Sequence, residues 1–600
     1  MILDTDLEVN LYAKETVELP PILKKLLPKI QSVYQPENIQ DLQDVFSCAK
    51  RNKLSIIPRG AGTSGMGGIT PLKKSILTDL SHLNRILHYD KKKKTVLVES
   101  GLRWWELKRF LKKHSLDLYT YPTSLFSTVG GWLATGGCGV NSFKYGHISN
   151  LVDSIEVVSP YKNKKLSREN SEFKYFVGTE GQMGIVSKIE LKIREPVRSK
   201  PYLIFFNTNK EATAFLKELM KSTDIQPIHI AYLDRNRLEH KSLLLNPKVS
   251  FPRLEGVLLV LEELSTEKSL LNLIEKKRGI LAEEYLTAFL WNERFFPFST
   301  RRFHPSILGS ETILPVENLE YYVTSTRKFA DNYGLSLSTE ATLINKKEAV
   351  VFTLFPSHPK KISHFFHLFL SYSLSHIALK YKGRPYGIGI WNLPLLNKVF
   401  SQKNLRDYIN YKKEGDPLNV FNPAKSFSGD LKIKYVLRLA YLMSTLFSNS
   451  SSLFKPLSKI LNNHPGKMNG NLSAEEACAN CGACTVVCPA YLVNRNEIIT
   501  AKGKLLLLKH LRFSSRLPKV LAEKAFLCLH CHLCEHVCQS KLELIPVWEK
   551  LETLLESKFG RPKEKIDEFI KLFEAHPEYD QFLDSFGNFS NNDHRDIRNV

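Results

Sequence analysis

Eight of the ten cysteines of this 600-residue chain fall in two runs near its C-terminal end. The first reads C-A-N-C-G-A-C-T-V-V-C (Cys478, Cys481, Cys484, Cys488) and the second C-L-H-C-H-L-C-E-H-V-C (Cys528, Cys531, Cys534, Cys538). Both have the spacing C-x2-C-x2-C-x3-C, which wraps a [4Fe–4S] cubane, with three thiolates close together and a fourth from further away. In two-cluster ferredoxins the fourth cysteine of each run ligates the other cluster. The spacing therefore assigns Cys478, Cys481, Cys484 and Cys538 to one cluster, and Cys528, Cys531, Cys534 and Cys488 to the other. Zinc sites rarely take four cysteines in such a run, and disulfides do not suit a reducing cytosol. Such clusters pass single electrons, so the rest of the chain must hold their source.

A second stretch able to do chemistry is L-S-I-I-P-R-G-A-G-T-S-G-M-G-G-I (Leu54–Ile69). Gly60, Gly62 and Gly65 match G-x-G-x-x-G, but the dinucleotide fingerprint should open a helix. Here Met66, Gly67, Gly68 and Pro71 follow, and no acidic residue of the expected kind lies about twenty positions on. The stretch reads instead as a strand and a glycine-rich loop whose bare N–H groups can approach a pyrophosphate, with Arg59 adding a charge.

The loop resembles the P-R-G-x-G-T-x-x-x-G-G segment of FAD-linked oxidases of the vanillyl-alcohol oxidase (PCMH) type, which include glycolate oxidases and D-lactate dehydrogenases. The resemblance continues in order through Ile76–Leu87, Tyr121–Gly139, Phe143–Pro160 and Val177–Leu191. It implies an FAD site. Arg59, Gly60, Ala61, Gly62, Thr63 and Ser64 are expected at the pyrophosphate. Pro122, Thr128, Val129, Gly130, Gly131, Gly136, Gly137 and Gly139 are expected along the diphosphate and the isoalloxazine. Ile185 and Val186 are expected at the adenosine half. Cys138 reads as a small buried thiol near the cofactor.

From about residue 198 strands alternate with helices, where the family has its substrate, or cap, domain. W-N-E-R (Trp291–Arg294) resembles the family's W-x-x-R, whose arginine binds a substrate carboxylate in 2-hydroxy-acid members. A guanidinium grips both carboxylate oxygens at once. Arg294 is read either as that anchor or as part of a surface or structural ion pair. E-T-I-L-P (Glu311–Pro315) looks like the acidic-plus-proline strand that follows, with Gly309 where a lysine often assists; Arg301, Arg302 and His304 are the residues able to compensate. Ser336–Phe352 has no histidine where many members carry a metal-binding H-x-G-D-G-N-L-H strand, and R-P-Y-G-I-G puts Tyr386 where the family's G-E-H-G-x-G has histidine. The divalent metal site is therefore expected to be missing, and Tyr386 either takes the substrate's proton or only packs and hydrogen-bonds. An unshifted phenol, with a pKa of ~10, is a poor base at neutral pH. G-D-P-L-N-V-F-N-P-A-K-S-F (Gly415–Phe427) resembles the family's closing segment, which implies that Asn422 and Lys425 reach the flavin.

The length suggests about three to five domains. The elements that must position these residues divide as follows: a lead (1–30), a PCMH-type FAD-binding domain (31–197), an α+β substrate domain (198–427), a linker (428–470), a di-[4Fe–4S] domain (471–555) and a helical, then polar, tail (556–600). The class is α+β with a mostly α-helical iron–sulfur domain, because the forty residues between the cysteine runs read as helices. A helix is also expected over 36–53, with Cys48 on its inner face. Residues 430–462 are either a helix packed between domains or a basic amphipathic helix on a membrane surface.

The net charge is +23, but the lysines are scattered and no nucleic-acid motif accompanies them. No signal peptide and no run of eighteen apolar residues is seen, so the expected place is the cytoplasm or the inner face of a membrane. The whole reads as a flavoprotein dehydrogenase. By resemblance its substrate is a small 2-hydroxy acid such as D-lactate or glycolate, and its electrons leave through two [4Fe–4S] clusters to a quinone or an iron–sulfur protein. Two alternatives keep the architecture: a different alcohol substrate, or an electron-transfer subunit without turnover of its own.

Overall fold

The computed structural model describes residues 2–17, 25, 27–244, 250–262, 266–428, 432–449, 472–514 and 516–576. The expected frayed tail beyond 576 and the expected break at 464–471 lie outside the described residues.

The N-terminal unit has two sheets. In the first, β1 (Ile2–Leu3), β2 (Ile30–Tyr34), β3 (Ser55–Arg59) and β4 (Ser75–Asp79) take the order β1-β2-β4-β3, with β2 and β3 parallel to β4. The strand β3 is the L-S-I-I-P run read from sequence, and its C-terminal end delivers the glycine loop. Helix Ile39–Asn52 lies within the span expected. Asn38 caps it by accepting from the Asp41 N–H, and Leu42, Val45, Phe46 and Ala49 form its buried stripe.

The second sheet contains β5 (Ile86–Asp90), β6 (Thr95–Glu99), β7 (Asp117–Leu118), β8 (Val152–Val158), β9 (Lys164–Ser167) and β10 (Ile185–Arg194). Its order is β5-β6-β10-β8-β9, and β7 pairs the end of β10. Every second residue of β10 is buried, the signature of a strand with one wet face.

The cap is an eight-stranded sheet: β11 (Lys200–Phe206), β12 (Pro227–Leu233), β13 (Glu255–Leu261), β14 (Ile280–Leu281), β15 (Ser306–Pro315), β16 (Ser338–Leu343), β17 (Glu348–Ser357) and β18 (Arg384–Pro385). Its order is β14-β11-β13-β12-β16-β17-β15-β18. Helices Asn209–Lys221, Leu319–Tyr333 and Ile362–Lys380 cover one face with a large apolar core. After the cap the chain returns to the first unit: Ile56 of β3 donates to Val420 O, and the Asn422 N–H donates to Ile56 O. The flavin-type unit is thus closed by residues more than three hundred positions downstream of its first sheet.

Residues 472–514 and 516–576 are helical wherever they are regular, and no strand occurs among them. This matches the expected helical ferredoxin module.

Candidate functional site

A cavity of about 510 Å³ runs between the glycine loop and the sheet of the cap. One wall is Gly60–Ser64, Thr128, Gly130, Gly131, Pro122, Cys138, Gly139, Ile185 and Val186. The backbone comes close here by necessity. A Cβ on Gly60 would lie 2.2 Å from Thr128 Oγ1, and one on Gly139 would lie 2.4 Å from Tyr121 O. Thr128 caps helix Val129–Thr135, with Oγ1 accepting from the Gly131 N–H at 3.1 Å. Among the described residues, the backbone N–H groups of Ala61, Gly62, Thr63 and Ser64 have no acceptor in the protein. Successive free donors on a loop that tolerates close approach suit a pyrophosphate, so this wall fits FAD.

Six residues expected at the cofactor sit elsewhere. The Arg59 guanidinium does not point into the cavity; its Nη1 donates to Asp79 Oδ1 at 3.0 Å, in a nearly solvent-free site. Only the Arg59 backbone belongs to the loop. Val129 is buried in the core beneath its helix. Gly136 (φ +70°) ends that helix, and Gly137 is pressed against Trp132, so both sit behind the wall. Asn422 does not reach the cavity: its Nδ2 donates to Gly68 O at 3.0 Å and to Glu180 O at 2.8 Å. Lys425 likewise spends its ammonium on Gly67 O (2.9 Å) and Gly68 O, with burial bringing its pKa down to about 8. Both hold the glycine loop from outside.

A third holder was not legible. Glu15, in the N-terminal lead, accepts from the N–H groups of Gly67 (2.8 Å) and Ile69 (2.9 Å) and from the Thr70 hydroxyl. No local pattern marks it, because its partners lie more than fifty residues away.

The opposite wall is one face of the cap sheet. Register places Leu233 (β12), Glu340 (β16), Phe352 (β17) and Glu311 (β15) on a single rung. Side chains alternate across a strand, so this face is the cavity face. Arg294 follows helix Glu284–Glu293 and lies between the rings of Trp291 (3.6 Å) and Phe295 (3.9 Å). Its Nη1 donates to Trp291 O, and its Nε has no partner. Among the described residues no carboxylate pairs with it. The ion-pair alternative is therefore not what the fold builds. Tyr121 also hydrogen-bonds the guanidinium. A stacked guanidinium that lines the cavity with no carboxylate on it suits an incoming one.

Tyr386 lines the cavity, but its hydroxyl accepts from the Cys138 N–H at 2.6 Å and donates to Cys138 O at 3.2 Å. Burial pushes its pKa far above the usual phenol range. That is the wrong direction for a base at neutral pH, so Tyr386 does not take the proton; it ties cap to flavin wall. Arg301 is also spent elsewhere, on Thr16 O (3.3 Å) and Cys478 O (3.1 Å). Arg302 faces Glu543, and none of Arg301, Arg302 and His304 lines the cavity.

The cysteines gather as their spacing requires. The thiol neighbours of Cys481 are Cys484, Cys478 and Cys538, whereas those of Cys488 are Cys528 and Cys531. The fourth cysteine of each run thus faces the other run, and the donor set fits two [4Fe–4S] clusters. The two groups differ in position. Cys481 packs with Ala483 and Val537 against the core of the flavin-type unit. A Cβ on Gly482 would lie 3.9 Å from Ala61 O of the glycine loop. Cys488 packs instead against Leu527, Phe569 and Phe573, under the last described helix.

Comparison with known proteins agrees with both sites. A family model described as "FAD binding domain" matches residues 30–161, and one described as "4Fe-4S dicluster domain" matches residues 474–542. Alkyldihydroxyacetonephosphate synthase of Dictyostelium discoideum is 29% identical over 33% of this chain and 34% of its own. Glycolate oxidase subunit GlcD of Bacillus subtilis is 23% identical over 68% of this chain and 92% of its own. D-lactate dehydrogenase of Anaerostipes hadrus is 25% identical over 44% and 58%. The chain thus spans about a third of the synthase's length and nearly all of GlcD's. Among solved structures, substrate-bound p-cresol methylhydroxylase superimposes with a TM-score of 0.59 at 14% identity, covering 71% of this chain and 94% of that one. That likeness concerns the fold. The chain therefore carries an FAD-binding domain of the PCMH type and a two-cluster iron–sulfur domain, and FAD and two [4Fe–4S] clusters are its cofactors.

Proposed function

We propose that this chain is a dehydrogenase that oxidises a small 2-hydroxy acid, of the D-lactate or glycolate class, and passes the electrons out singly. Arg294 is the observation that carries the reading: a guanidinium stacked between two rings, with no carboxylate of the described residues on it, in the cavity that the glycine loop closes. When bound, FAD accepts a hydride, and the clusters relay electrons one at a time. The chain's part is positional. Arg294 holds the substrate carboxylate, and Phe352, Leu233 and Trp391 help keep the cavity dry. The names of the glycolate oxidase and D-lactate dehydrogenase relatives support the substrate class.

The positions of the two cysteine groups support a direction for the relay. Cys478, Cys481, Cys484 and Cys538 would hold the cluster beside the glycine loop, which would be the one to take electrons first, and Cys488, Cys528, Cys531 and Cys534 would hold the one that passes them to a quinone or an iron–sulfur protein.

Anaerobic addition of D-lactate, glycolate, D-2-hydroxyglutarate and glycerol 3-phosphate, one at a time, tests this. Bleaching of the flavin by a hydroxy acid is expected. Bleaching only by another alcohol supports the second substrate class, and bleaching by none supports an electron-transfer subunit.

Helix Lys432–Asn449 favours contact with a membrane surface. Tyr435, Leu439 and Leu442 recur at i, i+4 and i+7 and are 64%, 63% and 60% exposed, while Leu437 and Ser444 pack inward. Ile362 and Phe365 of the helix packed beside it are exposed as well, as are Arg438 and Lys361. Among the described residues no helix is long and apolar enough to cross a membrane.

A further inference from the structure

The cavity is lined by five carboxylates, and four of them are engaged. Glu15 accepts from Gly67 and Ile69, and Glu180 accepts from the Gly389 N–H. Glu293 pairs with Lys241 and Lys541, and Glu340 pairs with Arg237. Glu311 is the fifth. Among the described residues no hydrogen bond and no ion pair reaches its carboxylate. A charged group left alone away from bulk water is costly, and folds seldom keep one without a use.

Its position is set by backbone on both sides. Register pairs Glu311 with Phe352, and its carbonyl accepts from the Tyr386 N–H at 3.1 Å. The Tyr386 hydroxyl in turn grips Cys138, whose neighbour Gly139 belongs to the cofactor wall. The strap therefore holds Glu311 in the corner where cap sheet and cofactor wall meet.

We propose that Glu311 is the proton acceptor for the alcohol. This rests on the dehydrogenase reading above. The substrate's O–H and C–H bonds break and a C=O double bond forms. The proton goes to the Glu311 carboxylate, and the hydride, with its electron pair, goes to the bound FAD. The protonated carboxyl returns its proton to water when the 2-oxo acid leaves.

The neighbours do not compete for this role. Burial pushes the Cys138 thiol up to about 12 and the Tyr386 phenol higher still. His229, across the cavity beside Arg294, is brought down to about 3 by burial and that guanidinium, and is a weak acceptor. Burial raises Glu311 to about 7, so both of its protonation states are accessible near neutral pH.

The holoprotein, Glu311→Gln and Glu311→Asp test the proposal in two ways. Infrared spectra taken across about pH 7 should show a protonated-carboxyl C=O band that fades as pH rises and is absent from Glu311→Gln. This needs no substrate, and a spectrum without such a band overturns the proposal. In anaerobic stopped flow, Glu311→Gln should keep its FAD and its substrate affinity. Its flavin should bleach about a hundred- to ten-thousand-fold more slowly, without the wild type's rise in rate with pH. Glu311→Asp should restore the pH dependence. Equal bleaching by wild type and Glu311→Gln overturns the proposal alone. A wild type that no hydroxy acid bleaches overturns the dehydrogenase reading and the proposal with it.

Discussion

Arg59 and Asp79 form a buried ion pair, Nη1 to Oδ1 at 3.0 Å, at the joint between the flavin-type unit and the iron–sulfur domain. Glu497 of the iron–sulfur domain stands 3.9 Å from the same nitrogen, and Glu497 itself pairs with Lys502. The Tyr12 ring lies beneath the guanidinium. The arginine of the loop motif thus welds two units together and leaves cofactor contact to the loop's backbone.

Removing one member of that pair should be expensive. Arg59→Ala leaves Asp79 buried without its cation, and a loss of about 3–5 kcal/mol is expected in denaturant unfolding. Burial pushes Asp79 up, but Arg59, His82 and Arg103 outweigh it and hold its pKa below the usual carboxylate range. Its contribution to stability is therefore present above the unfolded value, ~3.9, and is lost as pH falls through the folded one. Acid unfolding of wild type and Asp79→Asn should converge at low pH; curves that stay equally far apart at every pH contradict the pair's role.

Arg294→Ala should raise the substrate requirement with FAD content unchanged. A guanidinium–carboxylate contact is worth about 1.5–3 kcal/mol, or about ten- to a hundred-fold in kcat/KM. Arg294→Lys should recover part of that. Unchanged steady-state constants in Arg294→Ala speak against the anchor.

The crossed assignment of the fourth cysteines makes a specific expectation. Cys538→Ala should damage the cluster of the first run, although it lies in the second. Cys488→Ala should damage the cluster of the second run. Iron analysis should fall from about eight per chain by up to half in each. Low-temperature EPR should then lose the signal that responds first to flavin reduction only in Cys538→Ala. The reverse pattern refutes the order of the relay.

The exposed apolar row is tested by flotation with vesicles rich in anionic lipid. Leu439→Glu with Leu442→Glu should weaken binding without lowering the melting temperature, since both side chains are exposed. Added salt should weaken it further, because the basic flank acts over about a Debye length. A wild type that stays unbound at low salt removes the membrane reading.

The sequence by itself determined what depends on short spacing. Three cysteines within seven residues, or glycines at positions that exclude a Cβ, carry their chemistry locally. The helical iron–sulfur domain followed from apolar spacing between the cysteine runs. Tertiary structure alone decided which way polar side chains face. Arg59, Asn422 and Tyr386 sit in the expected segments, yet each spends its polar group on protein partners, 20 to 354 positions distant, that no local pattern reveals. Glu15 and Glu311 carry no local mark of their roles for the same reason. One is defined by its long-range partners and the other by having none among the described residues. Partnership in a buried site is set by which strands become neighbours, and pairing across a sheet leaves no mark on the residues beside it in the chain.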